Sequence, residues 1–114
     1  MRNDFLLQIT SEGMGCGSDK ELSLILISSY FSILEESDEL PKFAVFYNEG
    51  VKLLHKSSVV LEVLKRAEER GCTLLACKTC LNRFDMLDQL EVGKACTMKD
   101  IIELQLCSPK VISL

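Results

Sequence analysis

Residues 71–81 read GCTLLACKTCL and contain two cysteines, Cys77 and Cys80, with two residues between them. The first half of this stretch predicts a turn at Gly71 and then a short buried strand, because an apolar run follows the glycine. The residues after Leu81 lose that pattern and predict a loop or a short helix. Both cysteines therefore follow the end of a strand. In open α/β sheets, binding sites are built at that carboxyl edge.

A thiol at this position is expected to ionise more readily than usual. The N-terminus of a following helix carries partial positive charge and Lys78 adds a full charge, and both favour the thiolate. Cys77 is nearer the predicted strand end than Cys80, so we expect Cys77 to be the more reactive thiol, with a pKa below about 8.5. The alternative is a pair of small buried cysteines in a turn, since unpaired cysteine is often buried.

The composition predicts one globular domain over residues 1–114, with 47% hydrophobic residues and a net charge of −4. Its 13 basic residues form no stripe, which argues against a nucleic-acid partner. The polar beginning of the chain lacks a signal-peptide core, and the apolar residues 22–34 are too few to span a bilayer. We therefore expect a cytoplasmic protein with no membrane partner, whose six cysteines are mostly reduced.

Apolar runs alternate with amphipathic stretches along the chain. Strands are predicted at residues 5–10, 43–47, 72–75, 94–96 and 111–114. Helices are predicted from a capping box of Ser18 and Glu21 to about Glu36, as a single turn at 51–55, from a cap at Ser57 or Ser58 to Gly71, and from a cap at Thr97 with Asp100 to just before Pro109. Repeated β–α units of this length predict a three-layer α/β/α fold with a mostly parallel sheet of about five strands.

The first long helix is apolar on two faces, whereas a helix packed on a sheet in a monomer needs only one. The first face contains Leu22, Ile25, Leu26 and Ile33, and the second contains Leu24, Ile27, Phe31 and Leu34. We assign the first face to the sheet. The second is then either an oligomer interface, with Leu24, Ile27 and Phe31 at the contact, or a surface covered by a neighbouring helix or loop.

Several short motifs follow one another at intervals that resemble one known family. They are Gly13-Met14-Gly15-x-Gly17-x-Asp19-x-Glu21-Leu22, Phe46-Tyr47-Asn48-x-Gly50-Val51-Lys52-Leu53, Cys77-x-Thr79-Cys80-Leu81, Val92-Gly93 and Met98-x-Asp100-Ile101. Together they cover nearly the whole chain and resemble the DsrE-like domain of the YedF family, the sulfurtransferase-like selenium metabolism proteins.

The resemblance implies a DsrE-like α/β/α fold, assembly into a homo-oligomer, and a cysteine at the end of the third strand that carries sulfur. Cys77 matches that cysteine. The chain departs from the family pattern at Lys78, where relatives usually have glycine, and it lacks the TusA-like carrier domain that precedes the DsrE-like domain in longer members.

These observations predict a persulfide carrier that exchanges sulfur or selenium with donor and acceptor proteins. Its thiolate would attack a donor persulfide, hold the terminal sulfur on Cys77 and release it to an acceptor or, as sulfide, through a disulfide with Cys80. We assign the catalytic roles to Cys77 and Cys80. Substrate-binding roles go to Gly13, Met14, Gly15, Gly17, Asn48, Gly50, Lys52, Lys78 and Thr79. We expect the glycine loop to lie beside Cys77, and we expect Cys77 to be nearer than Cys80 to the sheet edge that Gly15, Asn48 and Lys52 share. Lys52 is there either to hold an anion or stabilise a thiolate, or it is simply solvated. We predict no cofactor and no metal.

The carrier has to be weighed against other interpretations. The main alternative is a non-catalytic binding or assembly module whose cysteines are incidental. A thioredoxin-type oxidoreductase fits less well, because its cysteine pair would follow the first strand. The glycines at 13 and 15 lack the third glycine of a dinucleotide fingerprint. His55 is expected to be structural, and Cys72, Cys96 and Cys107 are expected in the core.

Overall fold

A computed structural model describes residues 4–114, so that residues 1–3 of the predicted domain lie outside the described part. Within it, five short segments form strands that pair into one sheet, and the first three of them are mostly apolar. The strands are β1 (Leu6–Ile9), β2 (Phe43–Phe46), β3 (Thr73–Cys77), β4 (Lys94–Cys96) and β5 (Val111–Ser113). The helices are α1 (Lys20–Glu36), α2 (Leu61–Glu69), α3 (Lys78–Arg83) and α4 (Met98–Cys107), with a 3₁₀ helix at Asn48–Leu54.

The sheet has the order β4-β3-β2-β1-β5, and every neighbouring pair is parallel. The chain moves in one direction from β1 through β2 and β3 to β4, and then returns across the sheet to place β5 beside β1. Right-handed crossovers in opposite directions put their helices on opposite faces. The predicted three-layer α/β/α fold with a parallel five-stranded sheet is therefore confirmed.

Alternation along the strands divides the core between the two faces of the sheet. Leu7, Ala44 and Leu74 belong to the larger cluster, together with Ile27 of α1 and Leu64 of α2. The smaller cluster contains Leu6, Val45, Cys77, Cys96 and Ile101, the last of which lies on α4. Because side chains alternate between faces of a strand, β1, β2 and β3 each contribute to both clusters. α4 is the helix whose residues complete the smaller cluster.

The helix boundaries differ from prediction at three places. Asp19, not Ser18, caps α1, since its carboxylate accepts a hydrogen bond from the Leu22 amide at 3.0 Å. The second long helix is shorter than predicted and begins at Leu61, with no side-chain cap. The turn predicted at 51–55 is a longer 3₁₀ helix that starts shortly after β2. The capping box of Thr97 and Asp100 is confirmed, with both reciprocal hydrogen bonds present.

The assignment of the two faces of α1 was wrong, because the faces are exchanged. Phe31 is 0% exposed and Ile27 is equally buried, and both pack in the larger core cluster. The exposed stripe of α1 instead consists of Leu22, Ile25, Leu26 and Ile33. The buried face also includes Ser23, which is polar but small. Hydrophobicity alone therefore did not identify this face as the one that packs in the core.

Candidate functional site

A pocket of about 300 Å³ lies at the carboxyl ends of β2 and β3. Its walls are Tyr47, Asn48, Thr79, Cys80, Arg83 and Phe84. The 3₁₀ helix begins one residue after the end of β2, with Tyr47 between them, and α3 begins immediately after β3. Because these strands are parallel neighbours, both helix starts meet at one edge of the sheet and enclose the pocket.

Cys80 is the cysteine that lines this pocket. Its thiol is partly exposed, and its Sγ accepts a hydrogen bond from the Asn48 backbone amide at 3.1 Å. Asn48 adopts a left-handed backbone with φ of 54°, a conformation that asparagine tolerates better than most residues. The left-handed residue at the start of the 3₁₀ helix thus presents its amide to the sulfur, a contact that favours the ionised thiol.

Burial nevertheless raises the pKa of the Cys80 thiol above its ordinary value, and this is the largest influence on it. The Asn48 amide lowers that pKa, whereas a hydrogen bond and the charge of the Cys77 thiol raise it. The two thiols are therefore neighbours that interact directly. At neutral pH the Cys80 thiol is expected to be mostly protonated.

Cys77 is buried and 1% exposed. It is the last residue of β3, and its side chain belongs to the cluster on the α4 side of the sheet, with Leu6, Val45 and Ile101. The expectation that Cys77 lies closer than Cys80 to Asn48 is wrong, because the Asn48 amide binds Cys80. Because Cys77 is buried, a large donor cannot readily reach its thiol.

Two further buried thiols flank the strands. Cys96 is the register partner of Cys77 on β4, and burial, followed by the charges of Cys77 and Asp100, raises its pKa to about 11. Cys72 precedes β3 at the opposite edge of the sheet, and burial, followed by the charge of Glu68, raises its pKa to about 12. Cys107 is exposed, contrary to the prediction that it lies in the core.

These raised pKa values predict that the fold loses stability in alkali. Above pH about 8.5 the unfolded chain releases a proton from Cys72 that the folded chain retains, so unfolding becomes more favourable as pH rises. The Cys72→Ala variant should therefore show a flatter decline between pH 9 and 11, by about 1 kcal/mol per pH unit for one such group. Urea unfolding at several pH values measures it, and equal slopes for wild type and variant would contradict the burial of this thiol.

Lys52 contacts the outer wall of the pocket rather than a thiol. Its Nζ lies 4.6 Å from the centroid of the Phe84 ring and 3.1 Å from Glu49 Oε2. The carboxylate offsets much of the positive charge that Lys52 was expected to supply. Lys78 is exposed at the first position of α3, whereas Thr79 lines the pocket.

The glycine-rich loop after β1 borders a different cavity. Gly15 and Gly17 line a depression of about 380 Å³ together with Cys16, Lys20 and Glu49. Gly13 and Met14 lie against α1, where the Met14 amide donates a hydrogen bond to the Ser23 carbonyl at 3.0 Å. The loop was expected beside Cys77. It instead lines a cavity that shares Glu49, the residue after Asn48, with the 3₁₀ helix beside the Cys80 pocket.

Two of the predicted glycines have clear packing reasons. A Cβ at Gly50 would overlap the Ile9 carbonyl, and a Cβ at Gly13 would lie 2.6 Å from the Ser23 Cβ. Gly50 thus allows the 3₁₀ helix to approach the end of β1, and Gly13 allows the loop to approach α1. These contacts account for both residues without a bound substrate.

Sequence reasoning missed Arg83 and Phe84. They follow Cys80 by three and four residues, the spacing that places side chains on one face of a helix. Recognising α3 as a helix would have found both. His55 was expected to be structural, and its Nδ1 accepts a hydrogen bond from the Ser57 amide at 3.0 Å.

A larger depression, about 440 Å³ in volume, runs along the sheet beside α4. Cys96, Cys107, Asp100 and Glu103 are among its lining residues, so carboxylates rather than cations accompany its thiols. Negative charge disfavours thiolates, which makes this depression a weaker candidate for thiol chemistry than the Cys80 pocket. Within residues 4–114, no group of three or more histidine, cysteine, aspartate or glutamate side chains is placed to hold a metal ion.

Comparisons with solved structures place the chain in a known fold class. It matches the ychN protein from E. coli (15% identity, TM-score 0.69, covering 96% of this chain and 97% of that one). It also matches MTH1491 from Methanobacterium thermoautotrophicum (21%, 0.73, 96% and 97%) and BT1422 from Bacteroides thetaiotaomicron (17%, 0.69, 98% and 96%). Both of these are proteins of unknown function.

These neighbours fit the DsrE-like fold that the sequence motifs implied, and they define the class of this protein by its fold. No family model matches the chain, and no curated protein matches it either. In the part of the chain that the structure describes, no helix combines the length and apolar character needed to cross a membrane.

Proposed function

We propose that this protein carries sulfur or selenium as a persulfide on its strand-end cysteine pair, as the resemblance to the DsrE-like domain of the YedF family implies. The observation that carries the proposal is the partly exposed Cys80 thiol, which lines a pocket, accepts the Asn48 amide hydrogen bond and neighbours a second thiol. Burial of Cys77 leads us to assign the receiving role to Cys80 and the resolving role to Cys77, the reverse of the order expected from the sequence.

The first step is attack of the Cys80 thiolate on the terminal sulfur of a donor persulfide, R–S–SH. The donor S–S bond breaks, the thiolate R–S⁻ leaves with the electron pair, and Cys80–S–SH forms. The Asn48 amide donates a hydrogen bond to the attacking Cys80 sulfur while that sulfur bears negative charge. We propose donor and acceptor proteins as partners for this exchange, and the R–S–SH donor stands for any carrier of a terminal persulfide sulfur.

The second step is delivery of the stored sulfur. An acceptor thiolate at the pocket attacks the outer sulfur and restores Cys80. In the absence of an acceptor, the Cys77 thiol attacks the inner sulfur, a Cys77–Cys80 disulfide forms, and hydrogen sulfide leaves. Both steps balance without an external oxidant, because the donor persulfide supplies the sulfur at its sulfane oxidation level.

Mass spectrometry of the intact protein after incubation with an alkyl persulfide tests this proposal. All variants carry Cys16→Ser and Cys107→Ser, which remove the two exposed thiols outside the pocket. In that background we expect the parent to gain one sulfur atom or to form a disulfide, Cys77→Ser to retain the added sulfur, and Cys80→Ser to gain none. If Cys80→Ser gains as much sulfur as the parent protein, Cys80 is not the receiving thiol.

A second candidate function is that of an assembly module, and the exposed apolar stripe of α1 favours it. Four large side chains on this stripe, Leu22, Ile25, Leu26 and Ile33, face outward from a helix. Exposed apolar surface of this kind typically marks an interface. We propose that the stripe pairs with a second copy of this chain, so that the oligomer lies on the face opposite to the one first expected.

Charge complementarity supports an antiparallel arrangement of the two α1 helices. A two-fold axis at Ser29, which is small and exposed, would set Ile25 of one copy against Ile33 of the other. The same axis brings Lys20 at the beginning of one helix, which also pairs with Glu12 of its own chain at 3.0 Å, toward Asp38 just after the end of the other helix. Such pairing is self-complementary, as a two-fold interface requires. Assembly and sulfur transfer are compatible functions.

A further inference from the structure

We infer that the Cys80 pocket accepts a small sulfane-sulfur donor with an anionic, oxygen-bearing head group, and that Arg83 is its specificity-determining residue. The chemical class is a thiosulfonate, R–SO₂–S⁻, in which R is an apolar group. This inference rests on the proposed function, because it names a small-molecule donor for the same Cys80 thiol.

The charge at the pocket carries the first step of the argument. Arg83 lines the pocket and forms no ion pair or hydrogen bond with the residues that the structure describes, whereas Lys52 at the outer wall is paired with Glu49. Arg83 is therefore the cation in the wall that is free to bind an anion. Guanidinium groups present a planar set of donors that suits oxyanions.

The position of Arg83 relative to Cys80 carries the second step. The two residues are three apart on α3, so their side chains leave the same face of the helix. An oxyanion held by Arg83 would therefore lie within one helical turn of the thiol. Thr79 also lines the pocket and supplies a hydroxyl donor.

The remaining walls determine what the anion is attached to. Tyr47 and Phe84 give the pocket aromatic surface, and its volume of about 300 Å³ exceeds what a bare inorganic anion fills. An apolar group R would cover this surface while the sulfonyl oxygens contact Arg83. The terminal sulfur of the donor then faces Cys80.

The transfer balances in atoms and electrons. The Cys80 thiolate attacks the terminal sulfur of R–SO₂–S⁻ and forms the persulfide Cys80–S–S⁻. The bond between the two donor sulfurs breaks, and its electron pair leaves with the sulfinate R–SO₂⁻. No further oxidant or reductant takes part.

Paired alkylating reagents test the anion site without any sulfur transfer. Iodoacetate and iodoacetamide deliver similar groups to Cys80, but iodoacetate is anionic. The measured quantity is the rate constant of iodoacetate divided by that of iodoacetamide at Cys80. We expect Arg83→Met to lower this ratio about threefold to tenfold, and Arg83→Lys to retain much of it. Arg70→Met removes the same charge at the opposite edge of the sheet, next to Asp38, and should leave the ratio unchanged.

Sodium benzenethiosulfonate then tests the donor class, with persulfide formation and sulfinate release as readouts. We expect loading of Cys80 that weakens with Arg83→Met by a factor similar to the alkylation ratio. An alkylation ratio unaffected by Arg83→Met would overturn the anion site even if alkyl persulfides load Cys80. The donor class would be overturned by a different result. In that case Arg83→Met lowers the alkylation ratio and alkyl persulfide loads Cys80, but benzenethiosulfonate does not. Failure of every donor to load Cys80 would overturn the proposed function, while the ratio would still report the anion site.

Discussion

Phe31→Glu should abolish the cooperative fold instead of dividing an oligomer. Phe31 lies on the buried face of α1 and is 0% exposed. Its ring meets the Tyr30 ring edge-on at a centroid distance of 6.4 Å. Loss of a buried phenylalanine typically costs about 3–5 kcal/mol, and an unpaired buried carboxylate adds a further penalty. Domains of this size have a total stability of about 5–15 kcal/mol, so the variant is expected to lose most of it. Circular dichroism during urea titration measures the effect.

Ile33→Glu is the matched control, since it adds the same charge on the same helix at a residue that is 60% exposed. We expect the free energy of unfolding of the monomer, measured at a concentration too low for association, to change by no more than about 0.5 kcal/mol. If the exposed stripe joins two copies, light scattering will also show a smaller particle for Ile33→Glu. A folded Phe31→Glu protein of reduced particle mass would place the interface on the buried face, and an Ile33→Glu particle of unchanged mass would remove the exposed stripe from the interface.

The two faces of α1 show where sequence reasoning reaches its limit. Both faces carry large apolar residues, and the face that packs on the sheet includes Ser23, which is polar but small enough to be buried. Hydrophobicity therefore does not distinguish them. The choice depends on how α1 packs against the strands and α2, a tertiary contact that local periodicity does not encode.

The order of strands and helices was more predictable. The strands β1, β2 and β3 are short, mostly apolar runs, and this pattern is visible in the sequence. The capping box at Thr97 is likewise a local arrangement, made by residues close together in the chain. The strand order was not predictable, because β5 pairs with β1 through contacts between residues far apart in the chain. Caps were also uncertain where several polar residues precede a helix, as at Ser18 and Asp19.

The location of the cysteine pair was predicted, but not which thiol faces the pocket. β3 extends to Cys77, so strand alternation turns that side chain toward the α4 layer. The helix begins one residue later and turns Cys80 toward Asn48. A shift of one residue in the end of β3 would change this outcome, and sequence patterns do not locate strand ends that finely.

Cys80 should be alkylated at least about tenfold faster than Cys77 in the folded protein, and this ratio should disappear in urea. Cys77 is 1% exposed, so a reagent reaches it only when the structure opens, and that opening carries a free-energy cost. Cys80 lines the pocket and is accessible without such opening. Iodoacetamide labelling read by peptide mass spectrometry gives both rates.

The pH dependence gives the same experiment a second, independent result. Burial raises the pKa of Cys80, so its labelling rate should continue to increase with pH beyond the range in which free cysteine reaches its maximum, near a pKa of about 8.5. The exposed Cys107 provides an internal measure of reagent access in the same sample. Faster labelling of Cys77 than of Cys80 in the folded protein would return the receiving role to Cys77. A Cys80 rate that levels off below pH 8 would show that the Asn48 hydrogen bond outweighs burial.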